Sequence, residues 1–321
     1  MARIFFIIIA GIERSGKRFC PGTAFLEDDC SVMDSLSDIR VIRALLARHG
    51  FHFSKALGQN FLINPGVCPR MADESGAAPG VGVLEIGPGI GVLTVELAKR
   101  AQRVAAVELD DRLLPVLAET LADCPNARVV HGDAMKLDLK QLIAEKFPGM
   151  PVVVCANLPY YITSPVIMRL LEERLPVQAI TVMVQKEAAD RICAQPGTRA
   201  AGALSLAVSY YSEPEILFRV SRGSFMPAPN VDSAVIRLRV RPAPAQPADE
   251  RQLFALIRAA FGQRRKTLLN SLCSAPGCDK ALLNQALAQA EIAPTARAEE
   301  LTLAQFVRLS DAVTAQRAAN A

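Results

Sequence analysis

Between residues 81 and 240 the chain alternates short apolar runs with segments in which apolar residues recur at helical spacing. The apolar runs predict strands buried on both faces, at 81–86, 103–107, 128–131, 152–155, 179–184, 216–220 and 234–240. Helices are predicted between most of them, around 91–100, 111–122, 164–174, 186–194 and 203–211. This alternation predicts an α/β fold, in which a mostly parallel sheet is covered by helices on both faces.

Helical patterns without intervening strands flank this region. Ser37 is positioned to cap a first helix that ends at Gly50, and Asn64-Pro65 opens a second. Beyond the proline-rich stretch 242–247, helices are predicted at 250–261, 264–273, 279–290 and 302–317. The predicted organisation is an α/β domain over 33–241, a linker over 242–249 and a small helical domain over 250–321.

The first 32 residues continue neither pattern. An apolar run at 4–10 has the outline of a secretory signal, but charged residues follow it without a clean small-residue cleavage site. The run is also too short to cross a bilayer, so no membrane association is expected. We expect the native start at Met33, with residues 1–32 a mis-assigned or dispensable extension.

Composition narrows the class of protein. Of 321 residues, 51% are hydrophobic and 21% charged, a balance that excludes a disordered or fibrous chain. The net charge is −4 over residues 71–214 and +6 over 215–270, which fits either a polyanion-binding edge or ordinary solvated surface. The eight cysteines lack metal-ligand spacing, which predicts reduced thiols, a cytoplasmic protein and no metal site.

A glycine-rich turn supplies the first candidate site. Gly87, Gly89 and Gly91 lie between a predicted strand and a helix, and glycine lets the backbone approach a ligand closely. Glu108 ends the next strand, where a carboxylate can accept hydrogen bonds from both ribose hydroxyls of an adenosine-containing cofactor. Asp133, after the third strand, is placed to bond the adenine amine. The G-x-G-x-G spacing favours S-adenosylmethionine over a nicotinamide dinucleotide, whose sites carry G-x-G-x-x-G.

The segment Asn157-Leu158-Pro159-Tyr160 follows the fourth strand and indicates the chemistry. An exocyclic adenine amine is a poor nucleophile because its lone pair is delocalised into the ring. If the Asn157 side-chain oxygen and a backbone carbonyl accept its two N–H bonds, the nitrogen can pyramidalise and direct its lone pair at a methyl sulfonium. Tyr160 offers a face on which the base stacks. The methylated ammonium loses its proton readily, so no general base is needed. Alignment of nucleophile and methyl group then carries most of the catalysis.

Further motifs accompany these residues. They are Leu57-Gly58-Gln59-Asn60-Phe61-Leu62, Glu85-Ile86-Gly87-Pro88-Gly89, Glu108-Leu109-Asp110, Gly132-Asp133-Ala134, Gln185-Lys186-Glu187 and the stretches 225–235 and 261–267. With them, the chain resembles the KsgA-type ribosomal RNA adenine dimethyltransferases over about residues 34–310.

The resemblance implies a class I S-adenosylmethionine-dependent methyltransferase (Rossmann-like) domain and a small C-terminal all-helical domain. It implies that Phe225 closes over the target adenine opposite Tyr160, which agrees with the need to hold such a base out of its stack. The implied substrate is two adjacent adenosines near the 3′ end of 16S rRNA, dimethylated at N6 in a small-subunit precursor by a monomer with a role in subunit biogenesis. The implied cofactor contacts are Asn60, Leu62, Gly87, Gly89, Glu108, Asp133 and Asn157.

A basic cluster is the candidate RNA contact. Arg264-Arg265-Lys266 is predicted to open a helix, with Arg258 one and a half turns earlier. Such a cluster can engage phosphates or form an ordinary solvated face, and the resemblance favours RNA.

Three other functions stay open on the sequence. A large-subunit rRNA adenine methyltransferase of the macrolide-resistance class is one, although the stretches 225–235 and 261–267 argue against it. A DNA adenine methyltransferase is another, but there a residue other than Leu158 is expected. The third is a mainly non-catalytic small-subunit assembly factor that docks through its basic surface.

Overall fold

A seven-stranded sheet forms the centre of a computed structural model that describes residues 36–51, 60–241, 246–263 and 265–319. The described strands are β1 (Phe61–Leu62), β2 (Gly82–Ile86), β3 (Arg103–Glu108), β4 (Ala127–His131), β5 (Val152–Asn157), β6 (Ala179–Gln185), β7 (Ser212–Val220), β8 (Phe225–Met226) and β9 (Ser233–Val240). The sheet has the spatial order β4-β3-β2-β5-β6-β9-β7. Strands β2 to β6 run parallel, while β9 pairs antiparallel with both β6 and β7. The predicted mostly parallel sheet is confirmed.

Helices cover both faces of the sheet. They are α1 (Ile39–Arg48), α2 (Val67–Glu74), α3 (Val92–Ala98), α4 (Leu114–Thr120), α5 (Leu139–Lys146), α6 (Thr163–Glu172), α7 (Lys186–Ile192), α8 (Ala203–Tyr211), α9 (Glu250–Gly262), α10 (Leu268–Leu272), α11 (Lys280–Gln289) and α12 (Leu303–Ala319). Side chains alternate between the two faces along β2, as the pleat requires. Val83 packs in a core with α1 to α4, and Leu84 packs in a second core with α5 to α12.

The C-terminal helices share the second core with the sheet. Leu256 of α9, Leu283 of α11 and Phe306 of α12 are fully buried there. The Glu250 carboxylate, at the start of α9, accepts hydrogen bonds from the Tyr210 hydroxyl at 3.1 Å and the Tyr211 hydroxyl at 2.9 Å. The division into two domains at 242–249 stays a prediction, and residues 242–245 lie outside the described part of the chain.

Several boundaries differ from the sequence predictions. Asp38 rather than Ser37 caps α1, because its carboxylate accepts the Arg40 backbone N–H at 2.8 Å. Helix α10 begins at Leu268 rather than at residue 264, since α9 runs to Gly262 and Thr267 is the extended N-cap of α10. Helix α5 was not predicted, nor were the two-residue strands β1 and β8, which are too short to show alternation. The expected start at Met33 falls on residues outside the described part.

Candidate active site

The glycine turn after β2 forms the floor of a cavity of about 160 Å³ at the carboxyl edge of the sheet. Gly87 and Gly89 have φ values of 72° and 61°, in the left-handed region that favours glycine. The Gly87 backbone N–H donates to the Val107 carbonyl at 2.9 Å, which holds the turn against the end of β3. A Cβ on Gly89 would meet the Phe61 ring at 3.5 Å, an ordinary van der Waals distance, so the turn faces β1. The turn therefore presents backbone to the cavity, as the motif predicts.

Glu108 stands at the end of β3 and faces this turn. One carboxylate oxygen accepts the Asp110 N–H at 2.8 Å, and the other accepts the Gly89 N–H at 3.3 Å. Burial raises the pKa of Glu108 above its ordinary value, against the opposing effect of these N–H donors. The neighbouring Asp110 forms an ion pair with Arg112 at 2.6 Å. Glu108 is thus an oriented acceptor in the cavity wall, where a ribose is expected.

Asp133 lies beyond β4 on the same edge. Its carboxylate accepts the Met135 backbone N–H at 2.8 Å and lies 3.5 Å from the Lys136 ammonium. The backbone turn therefore fixes the carboxylate at the rim of the cavity, which it lines. Its bond to an adenine amine stays a prediction.

Asn157 ends β5 and turns the chain into the cavity. It pairs with Met183 in the sheet register, so its position is set by a parallel strand pair. Leu158 is 2% exposed and anchors the segment in the core beneath the cavity. Pro159 accepts a hydrogen bond from the Ile162 N–H at 3.1 Å, which closes a turn over residues 159–162. The Asn157 side chain is therefore presented from a rigid strand end rather than from a loose loop.

Tyr160 and Phe225 bring aromatic rings to the same cavity. The Tyr160 hydroxyl lies 2.7 Å from the Ser233 hydroxyl, and burial raises the pKa of Tyr160. Phe225 is 4% exposed and pairs with Leu62 where β8 runs antiparallel to β1. Through this pairing β1, which directly follows Asn60, also lies at the cavity. The structure thus gathers every predicted catalytic and cofactor-binding residue around one cavity: Asn60, Leu62, Gly87, Gly89, Glu108, Asp133, Asn157, Leu158, Pro159, Tyr160 and Phe225.

Glu85 is a cavity-lining residue that the site prediction left out. It is 1% exposed one residue before the end of β2, and neither carboxyl oxygen has a hydrogen-bond partner in the described part of the chain. Burial raises the pKa of Glu85 to about 8; the adjacent Thr94 hydroxyl lowers it and the Glu108 charge raises it. The sequence could have indicated Glu85 as a site residue, because it is an acid inside a continuous apolar strand. A charge buried there without a partner is costly.

Two members of the predicted basic cluster, Arg265 and Lys266, lie between α9 and α10 and not at the start of a helix. Arg258 is exposed on α9, while Arg265 and Lys266 are exposed in the turn that follows Gly262. The Lys266 backbone N–H donates to the Gln263 carbonyl at 2.9 Å, which closes that turn. Arg264 lies outside the described residues. The prediction that these cations open a helix is therefore wrong for Arg265 and Lys266, and phosphate contact by the exposed cations stays a prediction.

Two classes of site are not seen among the described residues. No group of three or more His, Cys, Asp or Glu there could hold a metal ion. No described helix is long and apolar enough to cross a membrane. Each of the six cysteines in the described ranges is a free thiol, and Cys68 and Cys155 are among the buried ones.

Comparison with known proteins identifies the family. Residues 50–315 match the family model described as ribosomal RNA adenine dimethylase. Relatives named ribosomal RNA small subunit methyltransferase A include one from Geobacillus thermodenitrificans, 49% identical over 84% of this chain and 94% of its own. The one from Streptococcus gordonii is 48% identical over 88% of this chain and 99% of its own.

Two solved structures share the fold over most of their length. A dimethyladenosine transferase from Plasmodium falciparum has a TM-score of 0.65 and 26% identity, and the match covers 78% of this chain and 95% of that one. The 23S rRNA methyltransferase ErmE has a TM-score of 0.62 and 29% identity, and the match covers 79% of this chain and 99% of that one. The family-model match spans most of the chain and the relatives exceed 45% identity, so this chain belongs to the ribosomal RNA adenine dimethylase family.

Proposed function

We propose that this chain uses S-adenosylmethionine to dimethylate the N6 amines of two adjacent adenosines near the 3′ end of 16S rRNA in a precursor of the small ribosomal subunit. One observation carries the proposal: a single cavity joins the glycine turn and Glu108 to the Asn157-Leu158-Pro159-Tyr160 segment. The first part suits an adenosine cofactor and the second suits an adenine amine. The names of the small-subunit methyltransferase relatives, 48–49% identical, support the choice of RNA.

The residues present fit this cofactor. When bound, S-adenosylmethionine supplies a methyl group on a positively charged sulfur. Glu108 offers an oriented carboxylate for hydroxyl groups. Gly89, whose positive φ favours glycine, leaves the floor of the cavity free of a side chain. Glu85 adds to the cavity wall two buried carboxyl oxygens without a hydrogen-bond partner among the described residues.

Asn157 and the aromatic residues act on the base. The Asn157 side-chain oxygen accepts an N–H of the adenine amine, which favours the pyramidal nitrogen that can attack a methyl group. Tyr160 and Phe225 hold the base in the cavity once it has left its stack. Because these groups are fixed by β5, β8 and β9, the main contribution to the rate is alignment, worth up to about 7–11 kcal/mol in well-oriented reactions.

The exposed cations Arg258, on α9, and Arg265 and Lys266, in the turn after it, contact rRNA phosphates. Folded RNA is recognised by shape and by unstacked bases, which suits a basic surface combined with an adenine cavity. The protein acts as a monomer in the cytoplasm, where ribosomal subunits mature, and methylation accompanies small-subunit biogenesis.

Labelled S-adenosylmethionine tests the proposal. The purified protein is incubated with under-methylated small subunits, with large subunits and with duplex DNA, and the nucleosides are identified by mass after digestion. We expect N6,N6-dimethyladenosine from the small subunit alone. Label in the large subunit would support the resistance-type function instead, and binding without label in any substrate would support a non-catalytic assembly factor.

A further inference from the structure

Large apolar side chains that are strongly exposed lie in one place on the described surface. They are Leu109, 53% exposed, Met135, 38% exposed, and Tyr161, 61% exposed. All three line the candidate active-site cavity. Exposed apolar groups gathered at a cavity mouth indicate surface that a ligand covers.

Two of the three belong to the cofactor side of the mouth. Leu109 follows Glu108, and Met135 follows Asp133 in a turn that this carboxylate holds. A bound adenosine moiety between these acids would cover both. Tyr161 instead lies after β5, in the segment that meets the target base, so the cofactor leaves it unexplained.

The turn after β5 sends its two tyrosines in different directions. Tyr160 and Tyr161 are the central residues of the turn closed by the Ile162 N–H and the Pro159 carbonyl. Tyr160 is half-buried and its hydroxyl bonds with Ser233. Tyr161 makes no hydrogen bond to another described residue, and most of its side chain faces solvent. Its ring is therefore an open aromatic face next to the ring that meets the target base.

We propose that Tyr161 is a substrate-binding residue on which the base next to the target adenosine stacks. The proposal rests on the function proposed above. When a nucleotide leaves its stack, its neighbour also loses a stacking partner and follows the backbone to the cavity mouth. A single exposed ring there can take that neighbour, because every base has a face that stacks on an aromatic side chain.

Three substitutions separate stacking from simple apolar cover. Tyr161→Phe keeps the ring, Tyr161→Leu keeps an apolar side chain without a flat face, and Tyr161→Ala removes both. With under-methylated small subunits, we expect KM to rise about tenfold for Ala and Leu, the size of one base-stacking contact, and to stay unchanged for Phe. The kcat at saturating subunits and the affinity for S-adenosylmethionine are expected to stay at the wild-type values in all three.

A second arm identifies the stacked base. Small subunits are reconstituted with RNA in which guanosine replaces one of the two adjacent adenosines and the base on the 5′ or on the 3′ side of the remaining adenosine is removed. Equilibrium binding to wild type and Tyr161→Ala is then measured. We expect the wild type to bind one of the two abasic subunits about tenfold more weakly than the subunit with both neighbouring bases. Tyr161→Ala should bind these two subunits with equal affinity.

Three results would overturn the stacking role: Tyr161→Ala with wild-type KM, Tyr161→Leu as active as Tyr161→Phe, or an Ala penalty that persists with both abasic substrates. The last would point to a protein contact on the subunit. Absence of methyl transfer by the wild type would refute the proposed function instead, since the binding arm reports stacking without any transfer. No binding of the wild type to intact subunits would overturn both.

Discussion

The Tyr160 hydroxyl lies 2.7 Å from the Ser233 hydroxyl and joins the turn after β5 to the first residue of β9. Ser233 is fully buried, so the bond sets the position of the ring that lines the cavity. One neutral hydrogen bond contributes about 1 kcal/mol.

Loss of this bond is expected to lower turnover without loss of the fold. We expect Ser233→Ala and Tyr160→Phe each to lower kcat about fivefold, since a misplaced ring aligns the base less well. The double variant should match either single variant, because both changes remove the same bond. Steady-state kinetics with small subunits measures all three, and additive losses in the double variant would contradict a shared role.

Glu108 and Tyr160 are expected to separate cofactor binding from turnover. Removal of the Glu108 carboxylate in Glu108→Ala should weaken S-adenosylmethionine binding by about 10-fold to 100-fold, the range for hydrogen bonds to a charged group. Tyr160→Ala should mainly lower kcat. Calorimetric titration provides the measurement, with Asp111→Ala, at an exposed acid outside the cavity, as the matched control. Equal affinities of wild type and Glu108→Ala would refute the assigned role of Glu108.

Asn157 is expected to be required for methyl transfer. Asn157→Ala removes the acceptor that favours a pyramidal amine nitrogen, and we expect methylation to fall by about 100-fold or more, as for other oriented polar groups that act on the reacting atoms. Single-turnover assays with small subunits give the rate. If the variant still supports normal small-subunit maturation in cells, binding rather than methylation is the main contribution to biogenesis.

Glu85 is expected to make the stability of the protein fall as the pH rises. Its pKa is about 8 in the folded state against an ordinary value of 4.5, so between these values the unfolded chain releases a proton that the folded chain keeps. The free energy of unfolding should therefore fall through that window, by at most about 1.4 kcal/mol per pH unit from this group.

Glu85→Gln removes that titration. Urea unfolding without cofactor at pH 5 and pH 8 should show a smaller loss of stability for the variant than for wild type. Glu187→Gln, at an exposed acid, should retain the wild-type pH dependence. If the free energy of unfolding of Glu85→Gln depended on pH as that of the wild type does, the Glu85 carboxyl group would not be the cause of that dependence.

Arg265 and Lys266 are expected to bind phosphates. Their replacement by Gln should reduce the slope of log affinity against log salt for small subunits by about 0.7–0.9 for each cation that contacts RNA. The matched control replaces Lys280 and Arg308, two exposed cations on helices α11 and α12, and changes the net charge equally. Equal slopes for the two double variants would show that the cluster has no special role.

The candidate site could be predicted because its residues come at the ends of strands that the apolar runs in the sequence predict. Glu108, Asp133 and Asn157 each end or follow a parallel strand, and the carboxyl ends of such strands meet at one edge of the sheet. That rule brings together residues far apart in sequence without any knowledge of side-chain contacts.

The contacts that orient the site could not be predicted in the same way. The Tyr160–Ser233 bond spans 73 residues and depends on the antiparallel pairing of β9 with β6. The burial of Glu85 results from the packing of helices on both faces of the sheet, which its neighbours in sequence do not show. The start of α10 could not be predicted because a run of cations resembles a helical face, whereas α9 ends at Gly262 and Thr267 is the N-cap of α10.

The position of the modification on rRNA tests the central claim most directly. N6,N6-dimethyladenosine has no N–H left on its amine and arrests reverse transcriptase, so primer extension maps it to a nucleotide. In cells that lack this chain, expression of the wild type should produce an arrest at the 3′ member of two adjacent adenosines near the 3′ end of 16S rRNA, with read-through arrested at the 5′ member. Asn157→Ala should produce neither arrest. Arrests in large-subunit rRNA, or equal arrests with both proteins, would contradict the account.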